Sequence, residues 1–189
     1  MSAKKIAVLV GSLRKESFSR KIAKELMTML PASFQIREVE IGQLPLYNQD
    51  FDDNGTPPAS WTAFREDMRS FDAVLFLTPE YNRSVPAVLK NALDVGSRPY
   101  GQSIWDGKPG AVMSVSPGGL SGFGANHHLR QSLVFLNVPA MQQPEAYIGN
   151  AAALFGASGA LSSEPTRQFL QRFMDSFATW IEATAPKKD

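Results

Sequence analysis

The sequence predicts a doubly wound α/β fold built on five parallel strands with helices on both faces. Three observations lead there. Short apolar runs alternate along the chain with stretches whose apolar residues recur at helical spacing, the pattern of β–α units joined by right-handed crossovers. The run Ala73–Thr78 is continuously apolar, as in a strand covered on both faces. Three of the strands also break into loops rich in Gly, Pro and Ser.

The first strand spans Lys5–Val10 and ends at Gly11. A helix follows over Ser19–Leu30, with Ile22, Ala23, Leu26, Met27 and Leu30 on one face, and Pro31 stops it. The second strand covers Phe34–Ile41, although Val39 and Ile41 break its alternation. Gly42–Pro58 is polar, carries aromatic residues and reads as irregular. The next helix, Ala59–Ser70, sets Trp61, Phe64, Arg65 and Met68 in register. The third strand, Ala73–Thr78, leads to a helix over Pro86–Val95 with Pro in its first turn. The fourth strand, Gly110–Val115, precedes a helix over Gly124–Leu136. A short fifth strand is placed at Ala140–Gln142, with an extension at Glu145–Ile148. Gly149–Ser163 reads as loop, and Pro165 starts a last helix that runs to Thr184. Strands in this sequence suggest the flavodoxin-like order 2-1-3-4-5, in which ligands bind beyond the carboxyl ends of the strands.

The 189 residues are expected to form a single domain, 1–189, and a domain of this size buries roughly 70% of its unfolded surface without a staple. Cysteine is absent, which excludes a disulfide framework, a thiolate metal site and a cysteine nucleophile. A net charge of +1, from 19 basic and 18 acidic residues, advertises neither nucleic-acid nor membrane-surface binding. Met1-Ser2-Ala3-Lys4-Lys5 resembles a signal n-region, but the apolar run Ile6–Val10 is shorter than the roughly 7–15 residues of an h-region. A cytoplasmic protein is expected.

The segment Gly11-Ser12-Leu13-Arg14-Lys15-Glu16-Ser17-Phe18-Ser19 joins a strand end to a helix start. The hydroxyls of Ser12, Ser17 and Ser19, the cationic fork of Arg14 and the helix N-terminus suit a terminal monophosphate. A plain N-cap on Ser17 or Ser19, with Arg14 in solvent, is the competing reading. The segment has neither GxGxxG nor GxxxxGK[ST], which disfavours a dinucleotide-binding turn and excludes a Walker loop. The third strand runs into Thr78-Pro79-Glu80-Tyr81-Asn82-Arg83-Ser84-Val85-Pro86, whose prolines restrict its shape and which can turn backbone groups toward a flat heteroaromatic ring. The alternative is a rigid turn in which Asn82 or Ser84 caps the next helix. The fourth strand runs into Ser116-Pro117-Gly118-Gly119-Leu120-Ser121-Gly122, whose glycines permit close backbone approach.

These segments, together with Leu89-Lys90-Asn91-Ala92-Leu93-Asp94 and Leu44-Pro45-Leu46-Tyr47-Asn48-Gln49-Asp50, resemble the NADPH-dependent FMN reductase family, most closely its chromate and quinone reductase branch. The likeness covers roughly Lys4–Leu136. It implies FMN as cofactor, with the phosphate on Ser12, Arg14, Ser17 and Ser19; many relatives carry Asn at the Ser19 position. It implies that Pro79, Glu80, Tyr81 and Asn82 run along the isoalloxazine, mostly through backbone groups, and that Ser116, Pro117, Gly118 and Gly119 close its other edge. It further implies a homodimer or homotetramer in which Tyr47 and Asp50 approach the partner's flavin site.

On that resemblance the cofactor carries the chemistry, with NADPH or NADH as co-substrate and a quinone, chromate, azo or nitro compound as acceptor, in ping-pong exchange at one site. No side chain is identified as catalytic. The alternatives are a flavin reductase that hands reduced FMN to a partner, and a flavodoxin-like carrier, which Arg14 and the near-neutral charge disfavour. A non-redox module for another phosphorylated ligand is a further reading. Ser12 lacks the GxSxG setting of a hydrolase nucleophile. His127 and His128, adjacent on a helix, point about 100° apart and do not chelate together. Lys90 and Asp94 have the spacing of a surface ion pair, which the resemblance associates with subunit packing. Arg130 reads as helix surface or interface, and Met27, Phe64, Phe169, Phe173 and Phe177 as core.

Overall fold

The structure, a computed structural model, describes residues 3–185; Met1 and Ser2 of the signal-like stretch, and residues 186–189, lie outside the described residues. Its sheet is formed by β1 (Lys4–Val10), β2 (Phe34–Glu38), β3 (Ala73–Thr78), β4 (Gly110–Val115) and β5 (Ala146–Ile148). The order is β2-β1-β3-β4-β5, and every neighbouring pair is parallel. The pairings Val10↔Leu77, Thr78↔Ser114 and Val115↔Ile148 bring the strand ends level. The loops after β1, β3 and β4 therefore emerge at one edge, as the alternation of the sequence predicts.

The helices are α1 (Phe18–Leu26), α2 (Gln49–Asp53), α3 (Ala59–Arg69), α4 (Ala87–Gly96), α5 (Phe123–Phe135) and α6 (Glu164–Thr184). Successive strand residues point to opposite faces and so feed two cores. Ile6, Val8, Leu75 and Leu77 pack with Ile22 and Leu26 of α1 and Phe173 and Phe177 of α6. Ala7, Leu9, Val74 and Phe76 pack with Trp61, Met68, Leu89, Leu93, Leu129 and Leu133 of α3, α4 and α5. Each such large side chain contributes about 1.5–3 kcal/mol on burial. Among the described residues no helix is long and apolar enough to cross a membrane.

Several boundaries differ from the sequence-based expectation. β2 stops at Glu38, and the broken alternation marks the spot: Phe34 and Ile36 pack toward α1 and α6, whereas Val39 and Ile41 sit in the opposite core. α1 ends at Leu26, because Thr28 and Met29 donate to carbonyls three residues back and tighten the chain before Pro31. The fifth strand is Ala146–Ile148 and not Ala140–Gln142, where Ala140 makes a single isolated bridge to Gly110. Pro144 has no N–H to continue a ladder from that bridge. Gly42–Pro58 contains α2, capped by the Asn48 side chain at 3.1 Å from Asp50 N. The segment 149–163 contains a 3₁₀ turn, Ala151–Leu154, and a Phe155–Leu161 bridge.

Candidate functional site

The chain leaves β1 through Gly11, whose N–H donates to Leu77 O at 2.8 Å and ties the start of the loop to β3. Ser12, Ser17 and Ser19 are all buried, and Arg14 is exposed. The capping reading of Ser17 holds, because its oxygen accepts from Arg20 N at 3.2 Å. Its hydroxyl proton stays available to a phosphate. The Ser12 and Ser19 side chains make no hydrogen bond within the described residues, and Arg14 makes no ion pair there. The first-turn amides of α1 have no intrahelical acceptor. The buried residues Ser12, Ser17 and Ser19, the exposed Arg14 and the N-terminus of α1 thus lie along one loop, with the Ser12 and Ser19 hydroxyls free of internal partners among the described residues, which suits a phosphate dianion.

After β3, Thr78 Oγ1 donates to Pro79 O at 2.7 Å and fixes the turn into the second loop. Tyr81 and Ser84 exchange backbone hydrogen bonds at 3.1 and 3.0 Å around Asn82 and Arg83. Both central residues lie in the left-handed region, φ 51° and 65°, as a tight two-residue turn of this hand requires. Asn82 and Ser84 do not cap α4; Pro86 holds that position without a side-chain bond. The Tyr81 ring is exposed. The Glu80 carboxylate turns toward α5, where Oε2 accepts from Ala125 N at 2.9 Å.

After β4, Ser116 N donates to Ile148 O at 2.9 Å, and Gly118 N to Ser116 Oγ at 3.1 Å. A Cβ at Gly119 would meet nothing within 4 Å, and one at Gly118 only Ser116 Oγ at 3.6 Å. The glycines therefore leave an open shelf at the sheet edge, the space a flat ring needs to lie against backbone.

The residues beneath this shelf carry roles that the sequence did not declare. Ser114 Oγ donates to Ser121 O at 2.7 Å. Fully buried Asn126 donates to Ser114 Oγ at 3.4 Å and to Ala146 O at 3.2 Å, and Arg130 binds Asn126 Oδ1 at 3.0 Å and Met141 O at 3.0 Å. Arg130 is thus an internal latch in addition to a surface residue. The signal in the sequence was faint: an Asn and an Arg four apart on an otherwise apolar helix face.

Tyr47 and Asp50 lie beyond the edge, on the segment before α3. Asn91 of α4 accepts from Tyr47 N at 2.8 Å and donates to Leu44 O at 3.1 Å and Pro45 O at 3.0 Å, clipping the whole segment. The Tyr47 ring stacks on Trp61 at 5.2 Å, and burial pushes its phenol above the usual range. Asp52 and Arg65 form a buried two-bond pair at 2.7 Å each, with Arg65 Nε also on Val95 O. A cavity of about 570 Å³ opens between Leu13, Arg14, Leu44, Tyr81 and Val88.

The histidines behave as their spacing predicts. His127 Nε2 meets Tyr147 OH at 2.8 Å, and His128 Nδ1 meets Ser84 Oγ at 2.8 Å, on different sides of the helix. No cluster of three or more potential metal ligands occurs among the described residues. Lys90 and Asp94 pair at 2.7 Å on the surface.

The sequence matches the NADPH-dependent FMN reductase family over residues 4–153. It is 62% identical over 177 residues to a quinone reductase of Pseudomonas putida, covering 94% of each chain. It is 47% identical over 179 residues to a 2-hydroxy-1,4-benzoquinone reductase of Burkholderia sp, covering 95% of this chain and 97% of that protein. The structure superposes on FerB, a flavoenzyme NAD(P)H:(acceptor) oxidoreductase from Paracoccus denitrificans, with a TM-score of 0.89 and 41% identity, over 97% of this chain and 100% of that one.

Proposed function

The chain belongs to the NADPH-dependent FMN reductase family, and from that premise we propose that it is an NAD(P)H-dependent oxidoreductase that reduces quinones through bound FMN. The observation that carries the assignment to this edge of the sheet is the trio of buried serines on the loop that carries Arg14 and enters the N-terminus of α1. Ser12, Ser17 and Ser19 donate to the phosphate, and Arg14 neutralises it. Pro79, Glu80, Tyr81 and Asn82 shape one wall for the ring, chiefly through backbone groups. Ser116, Pro117, Gly118 and Gly119 form the other wall. When bound, FMN would supply two-electron redox chemistry between the pyridine nucleotide and the acceptor. The protein's part is to orient donor and acceptor in turn on the exposed face and to place N–H donors where negative charge gathers. No side chain acts as general acid on this reading. Chromate, azo and nitro compounds are further acceptors for the same exposed face.

The whole chain, 1–189, is read as one FMN-binding unit that works as a homodimer or homotetramer, with Tyr47 and Asp50 beside the partner's flavin site. Exposed Leu46 and Phe51 flank these two residues and supply an apolar rim for such a contact. Dependence on NAD(P)H, a reductant of the cell interior, supports a cytoplasmic location.

Titration of FMN into the apoprotein tests the site. One charge-assisted bond contributes about 1.5–3 kcal/mol, so Arg14→Ala is expected to weaken FMN binding by roughly tenfold to a hundredfold. Unchanged affinity would remove the phosphate from this loop.

A further inference from the structure

We infer that Glu80 is a positioning residue whose carboxylate fastens the loop after β3 to the first turn of α5 and so fixes the cleft between the two flavin-holding loops. The inference rests on the FMN reading above and names a role for a side chain within it. Glu80 Oε2 accepts from Ala125 N at 2.9 Å across 45 positions of sequence, and the side chain is only 12% exposed. Ala125 N is a first-turn amide of α5 that no intrahelical carbonyl can reach. The residue that would ordinarily cap it, Gly122, has no side chain to offer. A carboxylate brought from another loop fills the role and meets the positive end of the helix dipole. Arg83, at 3.4 Å from Glu80 Oε1, adds an exposed cation on the other side.

The neighbouring backbone is built around this contact. A Cβ on Gly124 would lie 2.9 Å from Glu80 Oε2 and 3.0 Å from Arg83 O, so a glycine is what lets the two loops close on each other. The left-handed turn at Asn82 and Arg83 brings Arg83 O to that spot. Ser84 and His128 make a second, exposed tie between the same loop and the same helix. Turning the carboxylate toward α5 also keeps its charge off a ring that becomes more negative on reduction. An acidic residue is thereby tolerated in the wall of the site.

The test compares Glu80→Ala, Glu80→Gln and Gly124→Ala with the unmodified protein, using FMN as the probe and flavin fluorescence quenching and visible circular dichroism as readouts. Gln keeps an oxygen for Ala125 N, whereas Ala removes it. If E80A leaves the loops correctly spaced in about one molecule in ten, its Kd for FMN rises about tenfold. E80Q is expected to stay within about threefold of the unmodified protein, with the same dichroism of bound FMN. G124A is expected to weaken FMN binding as E80A does, although Ala favours helix over Gly. Failure of the unmodified protein to bind FMN would overturn the FMN reading itself. With FMN bound by that protein, affinities of E80A and G124A equal to that of the unmodified protein would overturn the positioning role, as would an E80Q defect as large as that of E80A. If E80A does not fold, G124A and E80Q carry the test.

Discussion

Replacing Asn91 by alanine should release the segment that carries Tyr47. Asn91 is 7% exposed, and its side chain makes three hydrogen bonds, to Tyr47 N, Leu44 O and Pro45 O. At about 1 kcal/mol net for each, N91A loses about 3 kcal/mol, reduced toward about 2 where water reaches the freed groups of this half-buried segment. N91D separates hydrogen bonding from volume. It keeps the acceptor for Tyr47 N but sets a second acceptor against two carbonyl oxygens, so it should be no more stable than N91A. Urea unfolding reads the global loss. Amide exchange at Tyr47 reads the local one and should accelerate by about a hundredfold in N91A, since each 1.4 kcal/mol is about tenfold. If N91A and N91D both unfold within about 0.5 kcal/mol of the unmodified protein and the Tyr47 amide stays as slow, Asn91 is not the clip described.

Three further outcomes follow from the same structure. Removing either partner of the buried Asp52–Arg65 pair, whose side chains are 5% and 6% exposed, should cost about 3–5 kcal/mol in urea unfolding, and the apolar double variant should recover part of that; a double loss equal to the sum of the singles would contradict the pairing. Tyr147, pushed up to about 12 first by burial and then by its bond to Glu145, keeps its proton in the folded state after the unfolded chain has lost it. Its contribution to stability is therefore complete below about pH 10 and lost as pH rises toward 12, and Tyr147→Phe should remove the last phase of an ultraviolet phenolate titration. Gly96→Ala should destabilise by at least about 1–3 kcal/mol, because its Cβ would lie 2.6 Å from three atoms of the Trp105 indole; a neutral effect on thermal unfolding would mean that Trp105 can shift.

The sheet order was legible because Ala73–Thr78 and Ile6–Val10 are too apolar to be anything but buried strands, and because the loops between them announce themselves by Gly, Pro and Ser. The three loops that leave this edge of the sheet were legible for the same reason. What escaped was set by tertiary contact. α2 is five residues long and depends on its Asn48 cap, so it carries no periodic signal. Ala140–Gln142 looks as strand-like as Ala146–Ile148, and only the extent of the pairing with β4, a single bridge at Ala140 against a continuous ladder over Ala146–Ile148, separates them. The direction of the Glu80 carboxylate and the three-way clip of Asn91 span 45 and up to 47 positions of sequence, beyond any local pattern.

This edge of the sheet is proposed to hold FMN and to exchange electrons between NAD(P)H and a quinone. The direct measurement is the absorption spectrum of the FMN-loaded protein under anaerobic conditions, before and after NADPH or NADH and again after a quinone. Flavin absorbance in the blue is expected to bleach with the pyridine nucleotide and to return with the quinone. Absorbance that no pyridine nucleotide bleaches, or a protein that retains no flavin at all, would contradict it.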